Sequence, residues 1–367
     1  MAAPVAPPAQ PPVHAQEMTV EIGILSLSDL QTDPATGTLH DAGRRTREIV
    51  SYAVAADQAG LDVFGLGEHH GPDFAVANPA VPLAAIAQAT SRIRLASAVS
   101  VLSTADPVRL HQDFASLDLL SDGRAEIIAG RSAFTEAFRL FGIDLNDYDE
   151  VFTEKLRLLL AIRKNPGHVT WQGRFRPALH DLPVPPLPRQ QQLPLWLGVG
   201  GTPASVERAG QLGLPMVLGL IGGDIRRVGA AVERYRAVAA GAGHPTEQLN
   251  LAVSTHFYVG ATSQGARDDL FPYYREYLRP KPPTGRGWHV SRADFDAVSS
   301  PYGALVAGSP QEVIDKILTE HELFGLDRFL GQVDFGGMPA RMVHESIELL
   351  ATEVAPAIRK ELGLPSA

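Results

Sequence analysis

The stretch that decides the fold is Arg92–Ser132, which reads RIRLASAVSVLSTADPVRLHQDFASLDLLSDGRAEIIAGRS. Its first part, Arg94–Leu102, is a mostly apolar, β-branched run of the length of a buried strand. Asp106 followed by a proline is typical of a helix start, and apolar residues then recur at helical spacing as far as Leu120. A second apolar run, Ala125–Gly130, follows a turn. The stretch therefore predicts two parallel strands joined by a helix.

The same alternation of strand and helix patterns continues through the chain. The predicted strands are Val20–Leu27, Asp62–Gly67, Arg94–Leu102, Ala125–Gly130, Leu195–Val199, Pro215–Leu220, Leu251–Val259 and Arg328–Val333. Because each is followed by a helical segment, the sequence predicts an α/β fold, a (β/α)8 TIM barrel with insertions at its C-terminal face. Two segments with little periodicity, Asn165–Leu193 and Arg279–Pro301, are predicted to be long loops over the barrel. A tyrosine-rich helix over Phe271–Leu278 and a closing helix over Pro339–Ile358 are also predicted.

Composition narrows the class of protein. Residues 1–17 are rich in proline and alanine and lack the features of a signal peptide, so a disordered extension is expected before a single barrel domain over residues 18–367. A net charge of -9 argues against nucleic-acid binding, and no apolar run approaches the length of a membrane span. The chain has 0 cysteines, which fits a reducing compartment, and a cytoplasmic location is expected.

Polar residues follow the predicted strands at the edge where barrel enzymes hold their chemistry. Glu68, His69 and His70 come directly after the second strand and offer a general base, hydrogen-bond donors or metal ligands. A metal site is disfavoured because adjacent residues on an extended segment point apart and no metal-binding motif is present. The alternative for these three residues is a solvated polar loop.

Two sequence features typical of an anion-binding site follow neighbouring predicted strands. Gly200, Gly201 and Thr202 lead from the fifth strand into a helix that also carries Ser205, and such a helix start suits a phosphate. Arg131 follows the fourth strand, so it and Thr202 can face one anion. The alternatives are an ordinary capped turn and a surface ion pair. Both signals together favour a phosphate site.

Seven motifs of the chain together resemble the bacterial-luciferase-like flavin-dependent monooxygenases. They are Gly67–His70, Asn78–Pro79, Val101–Arg109, Ser121–Ser132, Arg139–Asp144, Gly213–Met216 and Val306–Ile314. They occur in the same order as in that family, over residues 18–358, which is nearly the whole chain.

The resemblance implies roles for particular residues. His69 matches the histidine that lies beside the flavin and acts in proton transfer, with Glu68 and His70 as further catalytic candidates. The implied cofactor-binding residues are Ala98, Val99, Ser100, Arg131, Gly200, Gly201, Thr202 and Ser205. Among them, Ala98–Val99 match a dipeptide joined by a non-prolyl cis bond beneath the isoalloxazine ring, and Arg131 matches a phosphate-binding arginine.

Two positions depart from the luciferase pattern. A second phosphate arginine early in the following helix aligns with Asp149 here, which bears on how tightly the chain holds FMN. The reactive cysteine beside the phosphate arginine aligns with Gly130.

The function expected from the resemblance is an FMN-dependent monooxygenase. It would use reduced FMN and O2, through a flavin C4a-hydroperoxide, on a small organic substrate. No glycine fingerprint for a dinucleotide follows the first strand, so a separate NAD(P)H:flavin reductase is expected to supply reduced FMN. The resemblance also implies a homodimer. The alternatives are a coenzyme F420-dependent hydride-transfer enzyme, a flavin-binding protein without catalysis, and a sugar-phosphate barrel enzyme.

Aromatic residues flank the second irregular segment, namely Tyr273, Tyr274, Tyr277 and Trp288, together with Arg286. They are expected to close over the substrate as a lid, and the alternative is that they pack on the outer helices.

Overall fold

The structure, a computed structural model, describes residues 20–132, 134–245, 249–280 and 287–364. Its strands are β1 (Glu21–Ser26), β2 (Val63–Leu66), β3 (Arg94–Ser97), β4 (Ser100–Val101), β5 (Ala125–Gly130), β6 (Val169–Trp171), β7 (Leu179–Leu182), β8 (Leu195–Val199), β9 (Met216–Leu220), β10 (Leu251–Val259), β11 (Val306–Gly308) and β12 (Arg328–Gln332). The expected disordered extension lies outside the described residues.

Eight parallel strands close into a barrel. Around the barrel the order is β1, β2, β3, β5, β8, β9, β10 and β12, and β12 pairs with β1 to complete the ring. The remaining barrel neighbours also pair in parallel, including β5 with β8 and β9 with β10. The predicted (β/α)8 TIM barrel is therefore confirmed, and Arg131 and Thr202 follow adjacent strands as expected.

Helices surround the barrel and begin at the local signals that the sequence carries. They are α1 (Ala42–Ala59), α2 (Ala80–Ala89), α3 (Pro107–Leu120), α4 (Glu136–Leu140), α5 (Tyr148–Lys164), α6 (Pro203–Leu212), α7 (Gly229–Gly241), α8 (Ser263–Tyr277), α9 (Arg292–Val298), α10 (Pro310–Phe324), α11 (Ala340–Leu349) and α12 (Ala355–Glu361). The Asp106 side chain accepts hydrogen bonds from the backbone N–H groups of Val108 and Arg109, so the predicted start of α3 is confirmed. No helix in the described ranges is both long enough and apolar enough to span a membrane.

Several predicted elements were wrong in extent. The predicted strand Arg94–Leu102 is split into β3 and β4, and the loop Asn165–Leu193 contains the antiparallel pair β6–β7. Strands of three or four residues are too short to show a period, which explains why β6 and β7 were missed. The tyrosine-rich helix begins at Ser263, eight residues earlier than predicted, because Thr262 caps it.

Three other features were not predicted. The strand β11 adds to the far end of β10, and α9 starts within the second irregular segment at a capping box formed by Ser291 and Asp294. The predicted closing helix is two helices, α11 and α12, joined by a π-helical turn over Leu350–Val354.

The N-terminal end of the barrel interior is filled by charged side chains. Arg328 is 2% exposed and bonds to Glu126 at 2.7 Å and to Glu21, and its guanidinium carbon lies 4.4 Å from the centre of the Trp196 ring. Arg94 also pairs with Glu126. Burial alone would raise the pKa of Glu126, but the Arg328 and Arg94 charges outweigh it and lower that pKa to about 2.

The C-terminal end of the interior is lined by small residues instead. The middle layer of side chains includes Val63, Ala96, Ile128, Trp196 and Val217. Two residues further along the same strands stand Gly65, Ala98, Gly130, Gly198 and Gly219. Because side chains alternate along a strand, these positions also face the interior, and they leave its C-terminal mouth wide.

Replacing Glu126 tests the charged layer. In Glu126→Gln the buried Arg328 loses its best-buried partner, so the free energy of unfolding should fall by about 3–5 kcal/mol at pH 7. The loss should shrink as the pH falls towards the native pKa of about 2, where the wild-type carboxylate is itself protonated. Urea unfolding measures both effects.

Glu345→Gln is the matched control, since Glu345 pairs with Arg341 on the surface at 52% exposure. Its loss should stay below about 1 kcal/mol. Equal losses in the two variants would contradict a structural role for the buried cluster.

Candidate functional site

The centre of the mouth is the dipeptide Ala98–Val99, between β3 and β4. The bond joining the two residues is cis, as the resemblance implied, and both are partly exposed. The Val99 side chain fills the space above two glycines: a Cβ on Gly130 would lie 2.4 Å from Val99 Cγ2, and one on Gly198 would lie 2.8 Å from Val99 Cγ1. A Cβ on Gly65 would lie 2.9 Å from the Ala98 Cβ. Because these three positions carry glycine, the side chains of Ala98 and Val99 can pack against the strands inside the barrel.

This packing explains one departure from the luciferase pattern. Any side chain at position 130 would overlap Val99, so a cysteine cannot replace Gly130 here unless Val99 moves. The adjacent Ser100 is fully buried, and its hydroxyl has no hydrogen-bond partner among the described residues. Ser100 therefore offers a hydrogen bond close to the dipeptide.

Glu68 connects the end of β2 to β4, which directly follows this dipeptide. Its Oε2 accepts a hydrogen bond from the backbone N–H of Val101 at 3.0 Å, and its Oε1 lies 2.9 Å from His70 Nε2. Both carboxylate oxygens are thus engaged, and the His70 ring makes an edge contact with Phe141. The geometry gives Glu68 a positioning role, and catalysis by Glu68 or His70 stays a prediction.

His69 has an apolar environment. Its ring stacks on Phe74 at a centroid distance of 4.0 Å and meets the edge of Phe134 at 4.9 Å. Burial, with a smaller contribution from the neighbouring His70, lowers the pKa of His69 to about 4. The imidazole is therefore neutral near pH 7 and can both donate and accept a hydrogen bond.

Arg131 and Asp149 form the rim of the mouth beyond β5. The Arg131 Nη1 atom donates to Asp149 Oδ1 at 2.6 Å, and the guanidinium carbon lies 5.1 Å from the centre of the Tyr148 ring. The Tyr148 hydroxyl in turn donates to the carbonyl of Ser132 at 3.1 Å. Asp149, which replaces the second arginine of the luciferase pattern, is thus bonded to the first.

Sequence reasoning missed a second guanidinium at the same place. Arg208 lies on α6, and its Nη2 is 3.6 Å from the Asp149 oxygen that Arg131 also binds. The signal was available, because Arg208 follows Ser205 by three residues and so lies on the same helix face.

The start of α6 brings hydroxyl groups to this rim. Thr202 Oγ1 lies 2.9 Å from Ser205 Oγ, and the Thr202 side chain makes no capping bond to the helix. Thr202 is exposed, whereas Ser205 is buried. Gly200 and Gly201 line an adjacent open cavity of about 290 Å³ between the ends of β8 and β9 and the start of α7. The Ser205 hydroxyl donates to the carbonyl of Thr202 at 2.8 Å, so the hydroxyls must rotate before they can donate to a ligand. With that rotation, the two arginines and two hydroxyls form a donor set that suits a phosphate.

The opposite side of the mouth is aromatic. His256, on β10, is 3% exposed and lies 5.2–5.5 Å from the rings of Tyr277, Phe335 and Tyr274. Burial lowers the pKa of His256 to about 4. Gln332 donates to the Tyr277 hydroxyl at 3.2 Å. Because Tyr274 and Phe335 are also buried, at 2% and 0% exposure, this wall is a packed cluster of aromatic rings and neutral polar groups beneath the mouth.

The expected lid is wrong for two of its residues, Tyr273 and Tyr274, and stays a prediction for the others. Tyr273 and Tyr274 are buried in the core at 7% and 2% exposure, so they pack between the barrel and the outer helices. Trp288 is 51% exposed, and Arg286 lies outside the described residues. Residues within the described ranges form no cluster of three or more histidine, aspartate or glutamate side chains that could hold a metal ion.

Comparison with known proteins identifies the family. The family model described as luciferase-like monooxygenase matches residues 20–327. The chain belongs to the luciferase-like monooxygenases. It is 25% identical to an alkanal monooxygenase alpha chain of Photorhabdus laumondii, over 86% of this chain and 93% of that protein. It is 24% identical to the oxygenase component of a flavin-dependent trigonelline monooxygenase of Acinetobacter baylyi, over 84% of this chain and 89% of that protein.

Solved structures of similar fold include members that use different cofactors. A monooxygenase from Streptomyces bottropensis is 25% identical with a TM-score of 0.78, covering 92% of this chain and 99% of its own. The oxygenating constituent of 3,6-diketocamphane monooxygenase from Pseudomonas putida, in complex with FMN, is 21% identical with a TM-score of 0.74, covering 95% and 100%. A coenzyme F420-dependent tetrahydromethanopterin reductase from Methanopyrus kandleri is 17% identical with a TM-score of 0.70, covering 93% and 99%. The last two likenesses show the fold alone.

Adding a methyl group at position 130 tests the packing of the dipeptide. In Gly130→Ala the new Cβ would overlap Val99, so the free energy of unfolding should fall by about 1–3 kcal/mol. Gly229→Ala is the control because a Cβ there meets nothing within 4 Å, and it should change stability by less than about 0.5 kcal/mol. If both variants are equally stable, Val99 does not depend on Gly130.

The low pKa of His69 gives a second prediction. Because burial disfavours the imidazolium, the ¹⁵N shifts of the ring should keep their neutral values from pH 8 to about pH 5. Phe74→Ala removes the stacked ring and admits water, so it should raise the midpoint. An NMR titration, with His69→Gln to assign the signal, measures both. A wild-type midpoint near the ordinary value of 6.5 would contradict the apolar environment.

Proposed function

We propose that this protein is the oxygenase component of an FMN-dependent monooxygenase acting on a small organic substrate. The observation that carries the proposal is the pair Arg131 and Arg208 at one carboxylate, that of Asp149. The hydroxyls of Thr202 and Ser205 lie at the start of the helix that carries Arg208. This donor set suits a phosphate monoester at the rim of a mouth whose inner surface is made of small residues. Membership of the luciferase-like family supports a flavin as the ligand of such a site.

The proposed roles of the residues follow from their places in the mouth. Arg131, Thr202 and Ser205, with the backbone of Gly200 and Gly201, would bind the phosphate. The partly exposed surface of Ala98 and Val99 would support the isoalloxazine ring, and the Ser100 hydroxyl would offer it a hydrogen bond. Reduced FMN, when bound, would supply the reaction with O2.

His69 would hold or move the proton. Its stacked position on Phe74 fixes the ring, and its lowered pKa keeps it neutral, so it can relay a proton by accepting at one ring nitrogen while donating from the other. Phe74 and Phe134 would at the same time exclude water from this side of the mouth.

The proposal includes partners. A separate NAD(P)H:flavin reductase would supply reduced FMN, which is supported by the relative named as the oxygenase component of a flavin-dependent monooxygenase. A homodimer is proposed on the family resemblance alone, and O2 is the second substrate.

Binding of FMN tests the cofactor. Quenching of protein fluorescence by FMN, riboflavin and F420 should show the tightest binding for FMN. Arg131→Ala should weaken FMN binding by about 1–3 kcal/mol because a charge-assisted contact to the phosphate is lost, and should leave riboflavin binding unchanged. Tighter binding of F420 than of FMN would support the hydride-transfer alternative and overturn the proposal.

Turnover tests His69. With reduced FMN supplied by a flavin reductase, oxygenated products are measured by mass spectrometry for a panel of small aldehydes, ketones and aromatic compounds. His69→Gln should slow product formation by about 10²–10⁴-fold with little effect on FMN affinity. His168→Gln is the control, since His168 is 71% exposed. Equal losses of binding and turnover would make His69 structural, and absence of product across the panel with tight FMN binding would favour a non-catalytic flavin carrier.

A further inference from the structure

Arg131 and Arg208 share one carboxylate. Both guanidinium groups approach Asp149 Oδ1, at 2.6 Å and 3.6 Å. The two arginines come from different elements, the end of β5 and the helix α6, and only the barrel brings them together. The side chain of Asp149 is 67% exposed, whereas those of Arg131 and Arg208 are 23% and 18% exposed. Two partly buried cations are thus bridged by one anion from the solvent side.

The surroundings hold the two guanidinium groups in place. Arg131 lies over the Tyr148 ring, and Arg208 lies over the Phe152 ring with its guanidinium carbon 5.3 Å from the ring centre. Burial lowers the pKa of Arg208, and the Arg131 charge lowers it further while Asp149 opposes both. Two positive charges against one negative charge leave an excess that a further anion can balance.

We propose that Arg208 is a second ligand of the cofactor phosphate, and that Asp149 is an internal anion that occupies the site until the phosphate displaces it. This inference rests on the proposed function. The loss of the luciferase-pattern arginine at position 149 is then compensated from α6. The Asp149 carboxylate, which replaces that arginine, then competes with the phosphate for Arg131 and Arg208.

The exchange is favourable on charge alone. A phosphate monoester carries about two negative charges near pH 7 and offers three oxygens, whereas the carboxylate carries one charge and offers two. Since Asp149 is largely exposed, its side chain can turn into solvent at little cost. The affinity for FMN is therefore set by the difference between the two anions, and riboflavin, which has no phosphate, does not compete with Asp149.

Three variants test the inference by their affinities for FMN and for riboflavin. Arg208→Gln should weaken FMN binding by at least about tenfold, because a charge-assisted contact is lost. Asp149→Asn should strengthen FMN binding by about three- to tenfold, because the competing charge is removed while the shape is kept. Neither variant should change riboflavin binding. Arg189→Gln is the matched control: Arg189 pairs with Asp122 at 2.6 Å on the surface, near the start of β5 and so at the opposite end of the barrel.

The outcomes separate this inference from the function on which it rests. If Arg131→Ala weakens FMN binding but Arg208→Gln does not, the second ligand is refuted and the proposed site stands. Weaker FMN binding in Asp149→Asn would show that Asp149 organises the arginines rather than competing, which overturns the internal-anion role. If the wild type binds neither FMN nor riboflavin, the proposed function itself fails, and this inference fails with it.

Discussion

The packing of Val99 onto Gly130 and Gly198 is the constraint on which the mouth of this barrel depends. The pairing of the strands shows how it arises: Ala96 faces Glu126, yet Ser100 faces Ala129, so the β3–β4 side contains one residue more than β5 over this span. The extra residue behaves as a bulge. It allows the consecutive residues Ala98 and Val99 both to contribute to the inner surface. Room for them exists only because the facing strands carry glycine.

The two ends of the barrel use charge in opposite ways. At the N-terminal end, Arg328 and Glu126 are buried and neutralise one another, which fills the interior and fixes the strands. At the C-terminal end, Arg131 and Arg208 lie at the rim with a single exposed carboxylate between them. The first arrangement has no capacity for a further ion, and the second does. The same residue type therefore supports structure at one end and offers binding at the other.

The fold could be predicted because strand and helix periods alternate along most of the chain, and the eight barrel strands were located to within a few residues. The split of the predicted strand Arg94–Leu102 into β3 and β4 could not be predicted, because its run of apolar residues is continuous in the sequence. The one-residue shift in strand pairing appears only when β3 and β4 are compared with β5. Among the site residues, Arg131 and Thr202 could be placed on neighbouring strands from their order alone. Arg208 could have been found from its place on the Ser205 face of α6, but its approach to Asp149, and the pairing of Asp149 with Arg131, depend on where α5 and α6 pack, which the spacing of residues in one element does not reveal. The mostly exposed hairpin β6–β7 and the short helix α9 escaped prediction for a different reason, because each is too short to show a period.

The central claim is that a phosphorylated flavin lies across the C-terminal mouth with its phosphate between the ends of β5 and β8. A crystal structure of the protein soaked with FMN tests it most directly. We expect phosphate density within hydrogen-bond distance of the Arg131 guanidinium and the Ser205 hydroxyl, with the ring lying on Ala98 and Val99. Density for the ring at the N-terminal end of the barrel, or for the phosphate beyond β10 and β12, would contradict it.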